Sequence, residues 1–329
     1  MTVFFLKMSE DMSVKKSFAY CTCFLRRNIF LDKFALHVNF LSEEKFREDY
    51  QNVIPENEMK NCIQTVQIEI ERRKSLRQNV LQRIEQSKTK FVPLQPDIFT
   101  FDCEKVIYSG DMIPKPIGKK AFSLPVFKKS FAKDLLSELK HFKSSGIPHE
   151  RPNSMNKHGI LLDEIGFQDF MNQFRVNFIQ PWARKLFKIP DLELDSHKAF
   201  VVKYALDEDT ELSSHFDNSE ITLNVALSEN YEGGELVFND VNPGTGSIRS
   251  RFGFEHEYCH GVLHLGSHNH QALPITSGER WNLIFWARSS QLRQNHCPMC
   301  QNQPILEPAP LGTYGDGFIF VQNSTCNLT

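Results

Sequence analysis

Three runs decide the fold: Ala199-Phe-Val-Val-Lys-Tyr204, Ile221-Thr-Leu-Asn-Val-Ala-Leu227, and Gly261-Val-Leu-His-Leu-Gly-Ser-His-Asn-His270-Gln-Ala-Leu-Pro274-Ile-Thr-Ser-Gly278-Glu-Arg280-Trp-Asn-Leu-Ile-Phe-Trp286. From Lys198 onward the chain consists of short alternating runs separated by Gly, Asn, Asp and Pro, the pattern of an antiparallel sheet, sandwich or barrel. The last run reads as a strand, a turn holding Pro274 and Gly278, and a second strand, which predicts a hairpin. Along the second strand Arg280, Asn282, Ile284 and Trp286 share one face, and Trp281, Leu283, Phe285 and Ala287 share the other. Asn282 therefore lines whichever cavity Arg280 faces.

Upstream, His215-Phe-Asp217 places an imidazole and a carboxylate two residues apart. On an extended segment they project to one face, where a single ion touches both. A histidine from a distant strand completes a two-histidine, one-carboxylate set, which leaves open positions on one side of a ferrous ion and suits oxygen chemistry. His264, His268 and His270 alternate on the strand before Pro274, so each is a candidate on register alone. Arg280 adds a permanent cation whose rigid fork pairs with a carboxylate, so a dicarboxylate can bridge metal and arginine.

At this point the sequence resembles the prolyl and lysyl hydroxylase type of 2-oxoglutarate- and Fe(II)-dependent oxygenases. Tyr204, eleven residues before His215, is similar to the family's tyrosine on the preceding strand. Ile221 to Leu227, followed by Tyr231-Glu-Gly-Gly234, looks like the next strand and turn of lysyl hydroxylases. His270, four residues before Pro274 and ten before Arg280, matches the distal metal ligand, with His268 as its main competitor. The catalytic resemblance covers about residues 198 to 290. It implies an α+β fold, a double-stranded β-helix or jelly-roll core with flanking helices. It further implies Fe(II) bound by His215, Asp217 and His270, and 2-oxoglutarate anchored by Arg280 with Tyr204 as a secondary contact. Ascorbate would keep the iron reduced. The activity implied is a dioxygenase that consumes O2, converts 2-oxoglutarate to succinate and CO2, and hydroxylates an unidentified substrate. The alternative is a catalytically silent jelly-roll module whose N-terminal helices hold a partner. A hydrolytic metalloenzyme fits less well, lacking H-E-x-x-H and leaving Arg280 unexplained.

The remaining histidines and cysteines carry weaker signals. His264 reads as a core or supporting histidine, and His256 and His260 as loop residues. Thr222 and Asn224 face either the cavity or the outer side of the sheet. His296-Cys297-Pro-Met-Cys300 has metal-ligand spacing, but structural zinc usually takes four ligands and no second close pair follows. Cys259 or Cys326 is a candidate to complete it, and a local turn with reduced thiols is the other reading. Cys21-Thr-Cys23 lies too close in sequence for an easy chelate and stays unassigned.

Outside this core, Ser42 to Tyr50 and Asn57 to Lys90 read as two charged helices, the second with Ile63, Val66, Ile70, Leu76, Val80 and Ile84 near helical spacing. Its Glu71-Arg-Arg-Lys74 cluster fits either a partner-binding face or an ordinary solvated one. Phe91 to Pro125 carries five prolines and reads as a linker or extended layer, which places a mainly helical N-terminal region at 1–120 and the oxygenase domain at 121–295. Ser130 to Ser144 and Phe167 to Phe187 read as helices flanking the sheet. A C-x-x-C-containing tail follows at 296–329, of which Gln301 to Thr329 offers little core and is expected to wrap loosely or stay disordered. The 329 residues carry 38 Lys and Arg against 40 Asp and Glu, so no global field recruits nucleic acid. Neither a membrane span nor a secretory signal is visible, which predicts a cytoplasmic or nuclear protein with reduced thiols.

Overall fold

The computed structural model describes residues 19–27, 29–108, 112–242, 247–308 and 319–320, with the side chains of 19, 75–89, 103, 308, 319 and 320 outside the description. The N-terminal part begins with β1 (Ala19–Cys21), α1 (Cys23–Arg26), and a hairpin of β2 (Ile29–Leu31) and β3 (Leu36–Val38). Two helices follow, α2 (Glu43–Tyr50) and α3 (Glu56–Lys90). Ser42 starts α2 by accepting a hydrogen bond from the Lys45 amide at 3.2 Å, and Glu56 and Glu58 lie in the first turn of α3, where its dipole favours acids. Leu76, Val80 and Ile84 lie outside the described side chains. Arg73, within the charged cluster, turns inward rather than to solvent and donates to the Phe24 carbonyl at 2.6 Å.

After the short α4 (Cys103–Val106), β4 (Lys115–Gly118) and β5 (Ala121–Pro125) form a hairpin on the edge of the main sheet. The proline-containing stretch is thus partly an extended layer. Next come α5 (Lys129–Ser144), β6 (Gly159–Leu161), and the run α6 (Gln168–Phe174) to α7 (Gln180–Phe187), joined through a π-helical turn at Arg175–Ile179. The barrel strands are β7 (Ser196–Ala205), β8 (Leu212–His215), β9 (Ile221–Ala226), β10 (Tyr231–Gly233), β11 (Leu236–Val241), β12 (Ile248–Phe254), β13 (His260–Leu265), β14 (Asn269–Ala272) and β15 (Ile275–Arg288). The last elements among the described residues are α8 (Ser290–Arg293), β16 (Leu306–Pro308) and β17 (Ile319–Phe320).

These strands form a jelly roll of two antiparallel sheets. The major sheet runs β17-β7-β15-β9-β13-β5-β4, with β10 against β15 and β6 against β7; the minor sheet runs β12-β11-β14-β8. Period-two alternation sorts the side chains of the major sheet. Ala199, Val201, Leu223, Val225, Leu283 and Phe285 point outward and are covered by Phe131, Leu135, Phe170 and Phe174 of α5 and α6. Phe285 packs edge-on to Phe174 at 5.8 Å and stacks on His197 at 5.0 Å, a contact set whose truncation to alanine costs about 3–5 kcal/mol. The opposite faces are left to line the space between the sheets.

Two expectations are corrected. The run 261–286 is not a hairpin: β13 and β15 belong to the major sheet, whereas β14 between them pairs with β11 and β8 of the minor one. A turn at Gly266 to His268 and the Leu273-Pro274 step carry the chain from one sheet to the other and back, so His264 and His270 do not lie on one strand. In the described part of the tail, 306–308 and 319–320 are strands, β16 pairing with β1 and β17 with β7, while 296–305 is irregular and turn. Among the described residues no helix is long and apolar enough to cross a membrane.

Candidate functional site

The open faces of both sheets line a shared cavity. The minor sheet contributes His215 at the end of β8 and His270 from β14, which are direct cross-strand partners. Asp217 comes from the loop after β8, anchored by its amide donating to the Gly266 carbonyl at 3.0 Å. One ligand atom from each of His215, Asp217 and His270 lies within 4.8 Å of the others, a group that could hold a metal ion. Nε2 of His215 is 3.5 Å from Asp217 Oδ1, and Nε2 of His270 is 3.6 Å from Oδ2.

Their orientation is fixed by neighbours. Nδ1 of His215 lies 2.8 Å from the Ser213 carbonyl, and Nδ1 of His270 lies 2.9 Å from that of His268. A carbonyl only accepts, so each Nδ1 carries a proton and each Nε2 is turned toward Asp217. Thr222 donates to Asp217 Oδ2 at 2.7 Å. Burial works to raise the Asp217 pKa, yet His270 and His215, with His264 behind them, hold it well below the usual carboxylate range. Burial also drives His270 well below an ordinary imidazole, against the pull of Asp217. The set is one carboxylate with two imidazoles whose Nε2 atoms converge on it, a donor chemistry that fits a ferrous ion. His268 lies elsewhere, its ring 4.8 Å from that of Phe238, and His264 is buried with Nε2 at 3.9 Å from Asp217 Oδ2.

The major sheet supplies the other wall. Tyr204 on β7 is the register partner of Arg280 on β15, and the guanidinium carbon sits 5.5 Å from the Tyr204 ring centroid. Arg280 is 1% exposed, donates to Asn282 Oδ1 at 3.0 Å, and has no hydrogen-bond partner for Nη1 among the described residues. A buried cationic donor left open in this way calls for an anionic acceptor. Asn282 in turn donates to Asn224 Oδ1 at 2.6 Å, and Asn156 donates to the Tyr204 hydroxyl at 3.2 Å, leaving that O–H free to donate. Trp286, Ile284 and Phe200 complete an apolar side.

Thr222 and Asn224, whose face the sequence leaves open, both line the cavity. His256, by sequence a loop residue, does more than cap a loop. His256 Nε2 donates to the Asn224 carbonyl at 3.1 Å, so its Nδ1 accepts from Arg280 Nη2 at 3.3 Å. Nothing in Glu255-His-Glu257 signals that this loop folds back onto β15. The thiols differ most from expectation: Cys297 and Cys300 meet Cys21 and Cys23, whereas Cys259 sits apart beside β5 and Cys326 lies outside the described residues.

A protein from Xenopus tropicalis called 2-oxoglutarate and iron-dependent oxygenase domain-containing protein 2 is 39% identical to this chain, over 97% of the chain and 100% of its own length. The protein of that name from Danio rerio is 38% identical over 95% and 99%. The chain belongs to this family of 2-oxoglutarate and iron-dependent oxygenase domain proteins. An OGFOD2-like domain model matches residues 87–190, which hold the β4–β5 hairpin and the helices that cover the major sheet. Human procollagen-lysine,2-oxoglutarate 5-dioxygenase 1 is 28% identical over 53% of the chain and 24% of that protein. Among solved structures, a Pseudomonas putida prolyl-4-hydroxylase aligns at 18% identity and TM-score 0.36, covering 51% of this chain and 87% of that one.

Proposed function

We propose that the chain is an active dioxygenase in which His215, Asp217 and His270 bind Fe(II) and Arg280 receives the distal carboxylate of 2-oxoglutarate. Residues 198–290 form its catalytic core. The observation that carries this reading is a single cavity with the three converging ligand atoms on one wall and the buried Arg280, its Nη1 open, on the other. Iron, when bound, supplies the reactivity that couples decarboxylation of 2-oxoglutarate, giving succinate and CO2, to hydroxylation of a substrate C–H bond by O2. The protein's own groups bind and orient. Arg280 and the Tyr204 hydroxyl clamp one end of the dicarboxylate, Asn282 fixes the guanidinium, and Thr222 holds Asp217 in place. His215, Asp217 and His270 would hold the iron as three protein ligands, a set that suits binding of the 2-oxo acid and O2. Ascorbate serves to keep the iron ferrous. An intracellular setting accompanies this reading, because the converging thiols stay reduced in cytosol or nucleus.

The test is the visible spectrum of anaerobic protein with Fe(II), with and without 2-oxoglutarate, beside succinate release in air. The expected result is a charge-transfer band of the chelated 2-oxo acid that is lost in His270→Ala and shifted to far higher 2-oxoglutarate concentration in Arg280→Ala. Iron binding without the band, and no succinate with any candidate substrate, would instead favour a silent module.

A further inference from the structure

Cys21 and Cys23 lie near one end of the chain and Cys297 and Cys300 near the other, yet their four Sγ atoms lie within 4.8 Å of one another. Cys23 Sγ is 3.4 Å from Cys297 Sγ, and Cys21 Sγ is 3.9 Å from Cys300 Sγ. A tetrahedral tetrathiolate with metal–sulfur bonds of about 2.3 Å has sulfurs about 3.8 Å apart. Three of the thiols are buried, with Cys297 fully so, and Cys300 is half-buried. We propose that these four cysteines bind one structural zinc ion, a second metal site separate from the His-Asp-His group and independent of the function proposed above.

The backbone around the thiols supports this. Thr22 adopts an α conformation, φ −55° and ψ −24°, so the chain turns between Cys21 and Cys23 and both sulfurs fall on one side. At the other end Cys297-Pro-Met-Cys300 forms a tight turn closed by the Gln301 amide donating to the Cys297 carbonyl at 2.9 Å, with Gln301 in the left-handed region at φ +64°. The amides of Met299 and Cys300 point at the Cys297 sulfur, and that of Asn302 at the Cys300 sulfur. Amide donors aimed at sulfur stabilise thiolates, the form that a metal takes. Four soft sulfur donors with no open position select zinc over calcium or magnesium and suit a structural rather than a catalytic ion. Arg26 and Arg27 line the adjoining crevice and offset the negative charge that four thiolates leave around a divalent ion.

The site has a consequence for the cavity next to it. Phe24, following Cys23, and Met299, between Cys297 and Cys300, line the same crevice as His215, Phe216 and Trp286. Zinc would therefore hold the β1–β16 pair closed and fix one wall of the entrance to the His-Asp-His group. It acts there by position, without touching a reacting atom.

Full-length protein purified from zinc-replete cells without added metal tests this. Its metals are counted by inductively coupled plasma mass spectrometry, and their ligands are read from zinc K-edge X-ray absorption. One zinc per chain with an all-sulfur shell, retained in His270→Ala and lost in Cys297→Ser, is the expected result. Cys297→Ser risks misfolding, so the wild type is also titrated with a mercurial, and zinc should leave in step with modification of the four thiols. Zinc with a nitrogen and oxygen shell, zinc that disappears in His270→Ala, iron in the thiolate site, or a pair of disulfides in metal-free protein would each overturn the proposal. These readouts do not depend on turnover, so they stand apart from failure of the dioxygenase reading.

Discussion

Arg280 enters the cavity with Nη2 committed to His256 and Nη1 open, which makes His256 a positioning residue rather than a ligand. A hydrogen bond to a charged group contributes about 1.5–3 kcal/mol, and about 1.4 kcal/mol is tenfold in affinity. His256→Ala should therefore raise the half-saturating 2-oxoglutarate concentration roughly tenfold while leaving the turnover number nearly unchanged; a loss of turnover at saturating 2-oxoglutarate would show that His256 does something else. Burial, then Arg280, lowers the His256 pKa to about 3. An unfolded histidine protonates near 6.5, so between these values the unfolded chain binds more protons and folding weakens as pH falls. His256→Gln should consequently lose less thermal stability than wild type on acidification from neutrality, a comparison that differential scanning calorimetry makes directly. That Arg280 faces the cavity was legible in the alternation along its strand. His256 was not, since its role depends on where a loop with no periodicity comes to rest.

At the level of strands, alternation correctly divided β15 into a cavity face through Arg280, Asn282, Ile284 and Trp286 and a core face through Trp281, Leu283, Phe285 and Ala287. The same pattern could not say which sheet β14 joins, because a two-residue period fixes the face of a strand and carries no information about its partner. The switch between sheets depends on the Gly266 turn. Gly266 accepts from the Asp217 amide at 3.0 Å and donates to the Glu220 carbonyl at 3.2 Å, which brings the two loops into van der Waals contact. A Cβ at Gly266 would lie 1.9 Å from the Ser219 carbonyl oxygen, so an alanine must push the 217–220 loop away. Overpacking of this kind costs about 1–3 kcal/mol, and here the segment displaced carries Asp217. Gly266→Ala should lower the melting temperature and also weaken Fe(II) retention through dialysis. A variant that melts early but keeps its iron would separate the turn from the metal group.

Across the whole molecule the N-terminal segment does not form a detached unit. Ile29, Leu31, Val38, Phe46, Met59, Ile63 and Val66 make a small core of their own, but Tyr20, Phe24 and Leu25 are buried in one cluster with Phe200, Val202, Tyr204 and Trp286 of the barrel. Phe200, Val202, Tyr204 and Trp286 also line the cavity, so the N-terminal segment backs the site from its open side. Charge and helical spacing announced the helices of this region, whereas its attachment to the barrel joins groups far apart in sequence: three apolar side chains, the β1–β16 pairing, the Cys21/Cys23 contacts with Cys297 and Cys300, and the ion pairs Arg151–Glu69 and Lys157–Asp32. Each of those apolar side chains contributes roughly 1.5–3 kcal/mol on burial. Three together, about 5–9 kcal/mol, rival the roughly 5–15 kcal/mol by which a domain is stable. A chain beginning at residue 91 should therefore bind hydrophobic dyes under native conditions and lose the 2-oxoglutarate band, although every proposed ligand is retained. One beginning at 121 should fare worse, because it also strips β4 from the sheet edge. A cooperative, soluble chain from residue 91 with the full band would show instead that the N-terminal region is an accessory to a barrel stable on its own.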